Sequence, residues 1–109
     1  MHFLNVQVQP NLLAAFSEDV INQLCKLNVP CGFVNNVDVV RGNDDGPYIN
    51  VTFSTSSPSL LWPSVREKLV QLGLQSAAIA TCTGSQGWDD YLLLHHFNRE
   101  VPTDRLSAP

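Results

Sequence analysis

From Trp88 to Phe97 the chain reads WDDYLLLHHF, strand-like and apolar on both faces in its middle. Successive strand residues point to opposite faces, so strict alternation puts Tyr91, Leu93, His95 and Phe97 on one side. Leu92, Leu94 and His96 then fall on the other. Such a strand has to be covered twice, once by its own helices and once by something else. Its middle also lacks the charge or proline that normally guards an edge strand against pairing with another chain. The second cover is either the polar segment after Phe97 or another protein surface.

The remaining elements follow from periodicity. Leu4, Val6 and Val8 alternate with Asn5, Gln7 and Gln9, the pattern of a half-buried strand that Pro10 stops. Leu13, Phe16, Val20, Leu24 and Leu27 recur every three to four residues, predicting a helix over 11–27 capped by Asn11 and ended by Asn28-Val29-Pro30. Glu18 and Asp19 fall on its solvated side. A second strand over 33–41, the turn cluster 41–47 and a third strand over 48–55 make a hairpin, with Ile49, Val51 and Phe53 on one face. Trp62-Pro63 marks the start of a second helix striped by Leu61, Val65, Leu69 and Leu72 and capped by Gly73. Residues 76–82 form a fourth strand, and the Gly-rich loop 83–87 leads into the closing run. The order β-α-β-β-α-β-β predicts an α+β, ferredoxin-like β-α-β-β-α-β fold with an added C-terminal strand and two helices on one face of an antiparallel sheet. Residues 1–98 read as a single domain and 99–109 as a polar C-terminal tail.

Composition narrows the function classes. The chain has 109 residues, enough for one domain with its own core. Only 15% of residues are charged, and the net charge is −4 with six lysines and arginines in all. No basic cluster exists to release counterions, and the polar sheet positions carry no stacking aromatics with basic neighbours, so nucleic-acid binding is disfavoured. The N-terminus lacks the basic and long apolar regions of a signal peptide, and no apolar stretch reaches membrane-spanning length. Cys25, Cys31 and Cys82 are odd in number and lack a CxxC spacing, which fits reduced thiols in a cytoplasmic chain.

Candidate chemistry is sparse. His95-His96 cannot chelate one ion from a regular strand, because the two rings point oppositely. Asp44-Asp45 and Asp89-Asp90 offer oxygen ligands, but the topology puts their loops at opposite ends of the sheet, and Asp-Asp-Gly is also ordinary turn chemistry. The loop 84–87 matches neither a Walker motif nor a Ser-hydrolase elbow. These patterns give no catalytic constellation, no metal site and no cofactor. The leading expectation is a small acidic protein-interaction module, of an inhibitor or immunity type, that occludes a basic protein partner. Its binding residues would be Trp88, Asp89, Asp90, Tyr91, Asp44, Asp45 and Trp62: aromatic anchors with carboxylates that steer a basic surface. The alternative is a homodimer built through the last strand that binds a small molecule or acts as a small enzyme, using Tyr91, His95 and His96.

Overall fold

Alternation at Leu4, Val6 and Val8 places β1 (His2–Val8) at the centre of a sheet, because a strand with apolar partners on each side buries that face most completely. β3 (Pro47–Thr55) pairs with it antiparallel on one side and β4 (Ala78–Gly84) on the other. β2 (Asn36–Asn43) is hydrogen-bonded outside β3, and β5 (Gly87–His96) outside β4. The chain thus has an α+β fold with a five-stranded antiparallel sheet, in the order β2-β3-β1-β4-β5, and two helices, α1 (Glu18–Cys25) and α2 (Pro58–Gln71). The computed structural model describes residues 1–27 and 33–106. Asn28-Val29-Pro30, read as the end of the first helix, and Cys31 lie outside the described residues.

The core fills the space between one sheet face and the helices. Leu4, Val6, Val51, Phe53, Ala80 and Cys82 from the strands meet Ile21, Leu24, Leu61, Val65 and Leu69 from the helices, all at most 1% exposed. Each large aliphatic side chain among them contributes roughly 1.5–3 kcal/mol by leaving water. Two threonines are also buried, and each is satisfied. Thr55 Oγ1 accepts from the Ser57 amide at 2.9 Å, and Thr83 Oγ1 accepts from the Phe3 amide at 3.0 Å.

Several boundaries differ from the sequence expectation. The first helix does not begin at Asn11: Pro10–Leu12 is a single 3-10 turn, and α1 starts at Glu18. Ser17 is its cap, its hydroxyl accepting from the Asp19 amide at 3.2 Å. Glu18 and Asp19 are therefore first-turn residues facing the positive end of the helix dipole, not mid-helix side chains. α2 starts at Pro58, one turn before the expected position, leaving Pro63 inside the helix. Gly73 closes α2 as expected, with φ +69 and the Leu74 amide bonded back to the Leu69 carbonyl at 2.8 Å.

The largest departure is in β5. Cys82 lies opposite Leu92 and Thr81 opposite Leu93, but Ala80 lies opposite His95, so Leu94 is an extra residue in a bulge. A bulge puts two successive side chains on one side. Leu94 is 7% exposed in the core, and His95 follows it to the helical side, where Nε2 meets the Gln75 carbonyl at 2.7 Å. His96 shifts to the opposite face, across from Ile79. The two-sided apolar run is thus partly resolved by the chain itself.

Candidate functional site

The face of the sheet away from the helices has no element of its own layered on it among the described residues. Its middle is polar and hydrogen-bonded within the sheet. Thr52 Oγ1 donates to Asn5 Oδ1 at 2.8 Å, and Asn5 Nδ2 donates to Asn50 Oδ1 at 3.4 Å. Toward the edge, Gln9 Nε2 donates to Gln7 Oε1 at 3.0 Å. Alternation dictates this layer: the residues between the buried positions of β1 and β3 must look outward.

Around that amide floor stand exposed apolar side chains. Phe3, Val40, Trp88 and Tyr91 are 39%, 57%, 48% and 56% exposed. Phe3, Asn5, Val40, Thr52, Thr81 and Trp88 enclose a shallow concavity of about 520 Å³. A second concavity of about 440 Å³ opens at the Val8 end of β1, between Gln7, Gln9, Asn11, Asp44, Asp45 and Tyr48. Asn50 lines both, so they form one trough along β3.

The charges carried by the sheet layer are nearly one-signed. Asp38, Asp44, Asp45, Asp89 and Asp90 are all exposed and all lie in β2, β5 or the β2–β3 loop. The strands carry one lysine or arginine, Arg41, and it is committed to Glu18 of α1 at 2.8 Å. That contact holds the Glu18 carboxyl below its ordinary range and raises Arg41. With those five aspartates set aside, the chain's net −4 becomes +1, so the negative charge is carried by the sheet's own strands and the β2–β3 loop. Asp90 also holds the β4–β5 hairpin loop that presents Trp88. Its carboxylate accepts from the Gln86 amide and the Ser85 hydroxyl, both at 2.8 Å, and these bonds lower its pKa.

The structure brings only part of the expected surface together. Trp88, Asp89, Asp90 and Tyr91 share the start of β5, all exposed. Asp44 and Asp45 are at the other end of the sheet, connected to Trp88 through the trough. Trp62 is 9% exposed and belongs to the core, because α2 starts at Pro58 and its first turn already lies over the sheet. The alternative trio does not converge: the bulge sends His95 to the helical side and His96 to the other. Phe3 and Val40 carry no signal of their own in the sequence, although Phe3 sits on the outward parity of an otherwise amide-lined strand. Among the described residues no three His, Cys, Asp or Glu side chains gather as a metal site, and no helix is long and apolar enough to cross a membrane. No family model, no curated protein and no solved structure matches this chain.

Proposed function

We propose that this chain is a protein-interaction module that covers a basic surface of another protein with the outer face of its sheet, in the manner of an inhibitor or immunity protein. The observation that carries this reading is the coincidence, on the outer face of the sheet, of the exposed aspartates Asp38, Asp44 and Asp45 with the exposed Phe3, Val40 and Trp88. Carboxylates steer a basic partner and suppress acidic ones, while aromatic anchors supply the buried area. A ferredoxin-like arrangement with one added strand belongs to the same reading. Its support is the interleaving of the two β-α-β halves, with β1 between β3 and β4 and β3 between β1 and β2. The small-molecule alternative has weaker support, since its three residues are split between two faces.

The test compares two double neutralisations of equal charge change. Tagged wild-type protein, Asp38→Asn with Asp89→Asn, and Asp19→Asn with Glu67→Gln are each used to retain binding proteins from the source cells. A stoichiometric basic protein held by the wild type and the helical variant, but at least about tenfold less by the sheet variant, is the expected result. Equal retention by both variants would sink the proposal.

A further inference from the structure

Resting on the interaction reading, we infer that the trough reads one extended basic segment of the partner at two points. An apolar side chain enters the concavity between Phe3, Val40 and Trp88, and a lysine or arginine enters the concavity beside Asp44 and Asp45. Asn50 lines both concavities, so a single segment can pass from one to the other without leaving the face. Thr52 lines the first and Tyr48 the second. They are four residues apart on β3, which at strand rise is about 13 Å. An extended segment covers that distance in about four residues, which sets the spacing between its anchor and its cation.

The floor between the two points suits a peptide backbone. Asn5, Gln7 and Asn50 each carry two amide donors and a carbonyl acceptor, more capacity than their bonds to one another use. No base lines either concavity, so an acidic or phosphorylated segment would meet only like charge. A second copy of this chain fits poorly. The bases of its helical layer alternate with acids, as in Arg66-Glu67-Lys68, and Arg41 is already paired with Glu18.

Nine-residue peptides test the geometry, each with one Phe, one Arg and otherwise Gly, Ser and Thr, the Arg placed two, four or six positions from the Phe. Binding is read from the emission of Trp88, the exposed one of the two tryptophans. The four-residue spacing is expected to bind at least about tenfold tighter than the others. Replacing Arg by citrulline should abolish that preference for the wild type and change nothing for Asp44→Asn with Asp45→Asn. Sedimentation of the protein alone should show no self-association that the peptide reverses. A flat spacing profile, no binding at about 1 mM peptide, or peptide-reversible self-association each overturns the two-point inference. If charge-dependent retention of a protein partner persists alongside such a result, the interaction reading stands without it. Loss of both removes both.

Discussion

Gly42 lies under the ring of Tyr48: a Cβ added to it would fall on the ring and its hydroxyl. The two are directly opposed on β2 and β3, so the ring lies across its cross-strand partner and fills the space a side chain would take. Gly42 has no positive φ, so the crowding, not the backbone, excludes other residues. This predicts a change of sign. Gly42→Ala in the wild type should lower stability by about 1–2 kcal/mol, because the ring must be displaced. In a Tyr48→Ala background the same change should raise stability by about 0.5 kcal/mol, since glycine inside a strand costs conformational entropy. Urea unfolding of the four proteins measures both, and a destabilising Gly42→Ala in both backgrounds refutes it. Cys82 offers a second residue-scale test. It is fully buried, and burial pushes its thiol from 9.0 up to about 11. The thiol ionises earlier in the unfolded chain, so stability is unaffected below pH 9.0 and falls as pH rises through about 11. Chemical denaturation at stepped alkaline pH should show this decline in the wild type and a shallower one in Cys82→Ala.

At the scale of elements, the β4–β5 hairpin depends on Asp90. Its folded pKa lies below the ordinary 3.8 through the Gln86 amide first and the Ser85 hydroxyl second. The stabilisation is therefore complete above that ordinary value and lost as pH falls through the lower folded one. Trp88, two residues away, should report loosening of the loop by its emission only below about pH 3.8. Asp90→Ala should show the loosened signal already at pH 7. An unchanged acid transition in that variant would mean that the loop is held by something else. Elements of this kind are legible in the sequence to different degrees. The alternation of β1 and β3 can be read because each has one wet and one dry face, and a period of two has no competing explanation. α1 is misjudged because Leu13 and Phe16 keep helical spacing while their backbone is not helical; the Ser17 cap, followed by two acids, is the better signal. The bulge at Leu94 cannot be read at all. Three successive leucines satisfy either parity, and only the pairing with Ala80 and Thr81 decides which side each takes. The binding face is half legible, with Trp88 and Tyr91 marked by composition but Phe3 and Val40 assembled only by the strand order.

For the molecule as a whole, the segment after β5 decides whether the sheet ends or continues. Asp104 makes both outward bonds of Leu93: its amide donates to the Leu93 carbonyl at 2.6 Å, and its carboxylate accepts from the Leu93 amide at 2.9 Å. Leu106 packs against the core beside them. One aspartate thus imitates a sixth strand at the single position where β5 is most apolar, and its charge guards the same edge. Another chain adding a strand along β5 must first displace it. Asp104→Pro removes the amide and the carboxylate together while leaving Leu106 in place. The expected outcome is concentration-dependent self-association of the variant, seen by analytical ultracentrifugation, with circular dichroism unchanged from the wild type at low concentration. Asp104→Asn keeps the amide and an acceptor oxygen, and should behave as the wild type. Deleting 99–109 should give the strongest association, since the packing of Leu106 against the core is lost as well. A folded Asp104→Pro variant that stays monomeric would show that the free β5 edge is not itself adhesive. Any homodimer would then have to form through another part of the molecule.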